Sequence, residues 1–183
     1  MLAAALRHLE SMDLPPWRAV ICGPIDLVQG GSGEDYLQSL REGSSARVKF
    51  LGPIFEESEL HALYRQFDLF CYPSLADRGE TFGVAVAEAM AAGAVPVVSD
   101  LPCFRDFISP GINGLTFDAT APDAIAQLTT HLAALLRDTS RRKAMGVAAQ
   151  KAVQPYDYGR YAESLLTDFA QLTAPPIPLT SVS

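Results

Sequence analysis

The sequence predicts an α/β fold: a Rossmann-like open parallel sheet with helices on both faces. Three observations lead there. Short apolar runs alternate with stretches of helical periodicity along the chain. The first two strand-like runs end in Gly-Pro, at Gly23-Pro24 and Gly52-Pro53. From Leu69 to Val98 an apolar run, a polar loop, a helical stretch and a second apolar run follow one another, the pattern of a parallel strand–helix–strand unit.

In chain order, Leu2 to Ser11 sets Leu2, Ala5, Leu6 and Leu9 at helical spacing, which predicts a short amphipathic helix. Pro15-Pro16 breaks the chain before the first predicted strand, Arg18 to Cys22. The carboxyl ends of strands in such a sheet face the ligand crevice. Gly23 is therefore open to two readings, a close approach for a substrate or a plain turn. Gln29-Gly30-Gly31-Ser32-Gly33 lacks the Gly-Lys-Ser/Thr ending of a phosphate loop and does not directly follow a strand. It reads as a flexible connection into a helix from Glu34 to Arg41. Val48 to Leu51 is the second predicted strand, and Glu56 to Phe67 the next helix, with Leu60, Leu63, Tyr64 and Phe67 as its core face.

Leu69 to Tyr72 is the third strand, Pro73 to Thr81 a polar loop, Gly83 to Ala92 a helix closed by Gly93, and Val95 to Val98 the fourth strand. Leu101 to Phe107 reads as a loop and short helix. Gly111-Ile112-Asn113-Gly114 supplies the residues of a turn, and Leu115 to Phe117 is the fifth strand. Helices follow over Pro122 to Asp138, Ser140 to Val153 and Tyr156 to Leu172, with Arg141, Arg142 and Lys143 on a solvated face. One domain is expected over residues 1–172, and the proline-bearing stretch 173–183 is expected to be a disordered tail.

Composition bounds the function. With 183 residues, 49% hydrophobic and 19% charged, the chain can build one globular core. A formal net charge of -7 argues against a general binder of nucleic acid or anionic membrane. Cys22, Cys71 and Cys103 have no metal-ligand spacing and read as buried free thiols of a reducing compartment, so a cytoplasmic location is expected. No apolar run reaches transmembrane length. No His is placed to activate a Ser or Cys nucleophile, and His8, His61 and His131 read as surface residues.

The stretch Val84 to Ala92 is apolar on every face except for Glu88, which predicts a buried helix with one lone carboxylate. That carboxylate is satisfied either by a backbone N–H or an arginine, or by a ligand. A helix N-terminus at Phe82-Gly83 would offer free N–H groups and positive potential to a phosphate. Glu88 lies about 7 Å along the axis from that end, and side chains lean toward it, so a ribose on the phosphate would come within its reach. Glu80 stands in the loop on the other side.

The string Pro73-Ser74, Glu80-Thr81-Phe82-Gly83, Glu88-Ala89-Met90-Ala91-Ala92-Gly93 and Pro96-Val97-Val98, with its Glu80-x7-Glu88 spacing, resembles the signature of family 4 of the retaining glycosyltransferases. The loop Leu75 to Gly79 is longer than in that pattern. The resemblance covers Leu2 to about Leu172 and corresponds to the C-terminal, donor-binding half of the two-domain glycosyltransferase B-type fold.

It implies a transferase that moves a hexose-type sugar from a nucleotide diphosphate to an acceptor hydroxyl, with retention and without cofactor or metal. The implied contacts are Glu88 with the ribose, Glu80 with a sugar hydroxyl, and the N–H groups around Phe82, Gly83 and Val84, beside Thr81, with phosphate. Gly23 and the turn at Pro53 and Ile54 would lie near the nucleotide. An acidic residue is implied near Asp106, which also reads as a surface carboxylate. The family's diphosphate-contacting arginine and lysine fall before Met1 in the pattern, leaving Arg78 and Arg105 as candidates. The implied partners are the nucleotide sugar and an N-terminal acceptor domain or subunit. An exposed apolar patch or a homo-oligomer is expected where that domain would sit. Two other readings remain: a non-catalytic module that binds a nucleotide sugar or a protein, and half of a nucleotide-sugar epimerase.

Overall fold

The structure is a computed structural model that describes residues 1–76 and 80–173. Part of the predicted loop, residues 77–79 with Arg78, lies outside the described residues, as does the predicted tail from 174 on. Thr173 is the last residue of a helix.

The elements run α1 (Leu2–Glu10), β1 (Ala19–Cys22), α2 (Glu34–Gly43), β2 (Val48–Leu51), α3 (Glu57–Tyr64), β3 (Leu69–Tyr72), α4 (Val84–Ala91), β4 (Val95–Ser99), β5 (Leu115–Phe117), α5 (Ala124–Arg137), α6 (Thr139–Val153) and α7 (Tyr158–Thr173). Single-turn 3-10 helices lie between several of them. Every predicted strand is present.

All strand pairs are parallel, but the five strands form two ladders. β1 pairs with β2, and β3, β4 and β5 pair in that order. The single sheet expected from the sequence is therefore divided by its hydrogen bonds. A shared core holds the two groups together. Ala19 of β1 and Val48 of β2 pack on the same buried cluster as Val95 and Val97 of β4. Apolar burial is non-directional, so it joins strands that no backbone ladder connects.

β4 lies at the centre, and all five of its residues are buried. Successive side chains of a strand point to opposite faces. Val95 and Val97 accordingly meet Leu6 and Leu9 of α1 and Leu128 and Leu132 of α5. Val98 meets Val86 and Met90 of α4 and Ala149 and Val153 of α6 on the other face. Helices thus cover both faces. Arg142, expected on a solvated face, turns inward: its side chain is 14% exposed and donates to Leu135 O at 2.7 Å and to Asp68 at 3.3 Å. Free carbonyls at the end of a preceding helix draw in a cation.

Candidate functional site

β3, β4 and β5 run parallel, so their carboxyl ends share one edge, and α4 follows β3 from that edge. Gly83 caps α4 with φ 80°, a left-handed conformation that costs other residues roughly 1–2 kcal/mol. It is buried, and a Cβ placed on it would stand 2.3 Å from Cε1 of Phe104. Glycine is required twice here, by the turn and by the ring beneath it. Phe82 turns its ring into an aromatic cluster, with ring centres 5.1 Å from Phe107 and 5.3 Å from Tyr156. That anchors the turn.

The first N–H groups of α4 to find an acceptor are those of Val86 and Ala87, both on Gly83 O. Those of Phe82, Gly83, Val84 and Ala85 find none among the described residues. This is the usual condition of a helix start, and four donors with the positive end of the helix dipole suit an anion. Thr81 and Val84 beside them are exposed.

The sequence predicts a helix buried all round, and the structure corrects this. Val86, Ala89 and Met90 are buried, whereas Val84, at 60% exposure, and Ala91 face outward, with Glu88 half-buried between them. α4 packs on α3 and α6 and on β3 and β4, which leaves one face open. The internal partner of Glu88 is neither an arginine nor a backbone N–H. The Tyr64 hydroxyl donates to its Oε2 at 3.2 Å, and its Oε1 has no donor among the described residues. A neutral hydroxyl orients the carboxylate and leaves its charge uncompensated.

Glu80 has a matching partner. The Tyr72 hydroxyl donates to Glu80 Oε2 at 2.6 Å. That bond, and burial after it, push the Tyr72 phenol up to about 12. Burial, and then the Glu88 carboxylate, raise the Tyr64 phenol also. Both hydroxyls therefore remain proton donors at neutral pH. The ring of Phe104 stands edge-on to Tyr72 at 5.9 Å, so one side chain braces both Tyr72 and the Gly83 turn.

β1 and β2 run parallel, so Gly23 and the turn at Pro53 and Ile54 follow at one end of their ladder. Gly23 is half-buried with no atom within 4 Å of the place a Cβ would take. Pro53 and Ile54 are half-buried after β2. Cys22 donates its thiol to Gly52 O at 3.2 Å; burial raises it, opposed by a hydrogen bond from Ile54. The same thiol is near enough to help raise Tyr64.

Other expected residues fall elsewhere. Asp106 is exposed. Arg105 is engaged with Asp100 at 3.3 and 3.2 Å. Of the three thiols expected to be buried, Cys22 is exposed and Cys103 half-buried, whereas Cys71, half-buried by surface, has its thiol pushed up to about 12 by burial. His131 is half-buried, with Nε2 3.1 Å from Thr116 O. A hollow of about 340 Å³, bordered by Asp68, Gly93 and Lys143, lies at the far end of α4. A smaller one of about 90 Å³ lies at the strand ends between Ser74, Asp100 and Thr120. Glu88 borders neither, and stands on an open face. Among the described residues no group of three or more His, Cys, Asp and Glu side chains could hold a metal ion. No described helix is long and apolar enough to cross a membrane.

Sequence reasoning missed Tyr64 and Tyr72, which read as core and as strand. A tyrosine within an apolar run is itself a signal, because its hydroxyl needs a partner when the ring is buried.

Comparison with known proteins bears on the family and the fold. Residues 1–152 match the family described as glycosyl transferases group 1. The chain is 34% identical over 140 residues to the phosphatidyl-myo-inositol mannosyltransferase of Mycobacterium leprae, covering 76% of this chain and 36% of that protein. The chain therefore spans little more than a third of that relative's length. Its fold resembles that of Anabaena HepE, solved in complex with UDP and glucose, with a TM-score of 0.70, 20% identity, and coverage of 92% of this chain and 44% of that one. It also resembles the C-terminal domain of a glycosyl transferase group 1 family protein from Francisella tularensis, with a TM-score of 0.61, 18% identity, and coverage of 85% and 93%.

Proposed function

Because the chain belongs to the glycosyl transferases group 1 family, we propose that it is the donor-binding half of a retaining glycosyltransferase. The full enzyme moves a hexose-type sugar from a nucleotide diphosphate to an acceptor hydroxyl, and an acceptor domain or subunit completes the site. A relative named as a mannosyltransferase, and a structural neighbour holding UDP and glucose, support a hexosyl donor.

The observation that carries this reading is the start of α4. The N–H groups from Phe82 to Ala85, without acceptors among the described residues, lie in sequence between two carboxylates, each oriented by a tyrosine hydroxyl. In this reading the diphosphate sits on the N–H groups, Glu88 accepts from the ribose hydroxyls, and Glu80 accepts from a hydroxyl of the sugar. Gly23, Pro53 and Ile54 flank the base. As the sugar leaves, negative charge grows on the diphosphate. Donors already aimed at that charge stabilise it in the transition state without reorganising. Holding the donor carbon in line with an acceptor is the other contribution. No proton-abstracting side chain is required of this half.

The test is calorimetric titration with UDP-, GDP- and ADP-sugars, followed by the best ligand against Glu88→Ala. Binding is expected in the parent and a loss of about a hundredfold or more in the variant. Equal affinity in the two would remove the ribose assignment. Joining the chain to a matching N-terminal domain is expected to give sugar transfer; binding without transfer would favour a non-catalytic module.

A further inference from the structure

Pro155 has no N–H to continue a helical ladder, so α6 stops at Val153 and a single 3-10 turn over Gln154–Tyr156 follows. That turn brings Tyr156 against the segment before α4, which is far earlier in the chain. The ring of Tyr156 is centred 5.3 Å from that of Phe82 and 6.0 Å from that of Phe107. Its hydroxyl donates to Asp106 O at 3.0 Å. Phe82 and Phe107 are themselves 5.1 Å apart, so the three rings form a triangle in which each meets the other two.

The two partners of Phe82 differ in what holds them. Phe107 is 4% exposed and packs in one cluster with Phe104, Val86 and Met90. Tyr156 is 39% exposed and stands at the surface. The core fixes Phe107 on its own account, whereas Tyr156 is held by its hydroxyl bond and by the rings it touches. Phe82 depends on both. It lies in no regular element, since β3 ends at Tyr72 and α4 begins at Val84. The direction of its N–H, the first of the four without an acceptor among the described residues, is therefore set through its ring. Hydrogen bonds weaken steeply with misalignment, and a turn already fixed loses less freedom when a ligand binds.

We propose that Tyr156 is a positioning residue for the donor diphosphate, acting through the ring of Phe82. This rests on the reading of the α4 start as the diphosphate site. The ring supplies the contact, and the bond to Asp106 O fixes the plane in which the ring lies.

The experiment is an NMR titration of the full chain with UDP, GDP and ADP, and with uridine, guanosine and adenosine. Tyr156→Ala is expected to bind the diphosphate preferred by the parent about tenfold more weakly, the worth of a lost aromatic contact, and to bind its nucleoside as the parent does. Tyr156→Phe keeps the ring and is expected to lose about threefold at most. Tyr156→Leu, apolar but without a ring, is expected to behave as Tyr156→Ala and keeps the test open if the alanine variant does not fold. Leu132→Val, a core change on the opposite face of the sheet, is expected to lower the unfolding midpoint and leave diphosphate affinity unchanged. The proposal is overturned if the ringless variants bind the diphosphate as tightly as the parent, if their nucleoside affinity falls by the same factor, or if Leu132→Val loses as much. A parent that binds none of the three diphosphates would overturn the donor reading itself, and this one with it.

Discussion

Two glutamate–tyrosine pairs flank the start of α4, and they differ in what holds them. Glu88 is on the helix, and its partner Tyr64 is 6% exposed, packed edge-on between Phe67 and Phe70. Glu80 is in a loop, and its partner Tyr72 ends a strand whose residues are all half-buried. The hydrogen bond is shorter in the loop pair, 2.6 against 3.2 Å. The more rigidly held carboxylate therefore has the longer bond, and the loop carboxylate the shorter. A carboxylate on a helix is positioned by its element and needs only light orientation. A carboxylate on a loop owes more of its position to the bond itself. In a donor site this suits Glu88 to the invariant part of the ligand, the ribose, and Glu80 to the part that varies, the sugar.

The largest expected effect breaks the first pair. Glu88→Ala removes the proposed acceptor for ribose hydroxyls, and hydrogen bonds to a charged group contribute about 1.5–3 kcal/mol each, so affinity should fall by about a hundredfold or more. Calorimetry with the free nucleoside diphosphate checks this without involving Glu80. Gly83→Ala comes next and strikes the support the two pairs share. The strained φ and the contact with Phe104 together are expected to cost about 2–4 kcal/mol in denaturant unfolding. Combining it with Phe104→Leu should return part of that loss; no return would mean that the strain lies in the backbone alone.

Tyr64→Phe sharpens the comparison. It leaves the helix in place and deletes one hydroxyl, which is expected to cost about 0.5–1.5 kcal/mol of nucleotide affinity. Tyr72→Phe should instead spare the nucleoside diphosphate and weaken the nucleotide sugar, because only the sugar would meet Glu80. Equal loss for both ligands would merge the two pairs into one function. The smallest effect is a pH effect. The Tyr72 phenol titrates near 10.0 in the unfolded chain and is held up to about 12 in the fold. The folded state then keeps a proton that the unfolded state releases. Stability from this group is full below pH 10 and is lost as pH rises toward 12. Alkaline unfolding curves of Tyr72→Phe should show less of that decline.

Much of this was legible in the sequence. Val48 to Leu51, Leu69 to Tyr72 and Leu115 to Phe117 are strands with the predicted bounds, because short β-branched and aromatic runs between turn residues have few alternatives. The Glu80-to-Glu88 string placed both carboxylates at one helix start for a similar reason, since spacing along a helix is local geometry. Three other features were not legible. The division of the strands into two ladders depends on which edges meet in space. The exposure of Val84, Glu88 and Ala91 depends on which neighbours pack on α4. The inward turn of Arg142 depends on carbonyls of a different helix.

The sequence by itself determined the element order, the glycine at the head of α4 and the two acids on either side of it. These follow from backbone sterics and helical pitch, which act over a few residues. The tertiary structure alone decided that each acid receives a tyrosine hydroxyl and that Phe104 closes on Gly83. Those outcomes depend on close packing between segments far apart in the chain, where occupied volume selects the neighbours and periodicity does not.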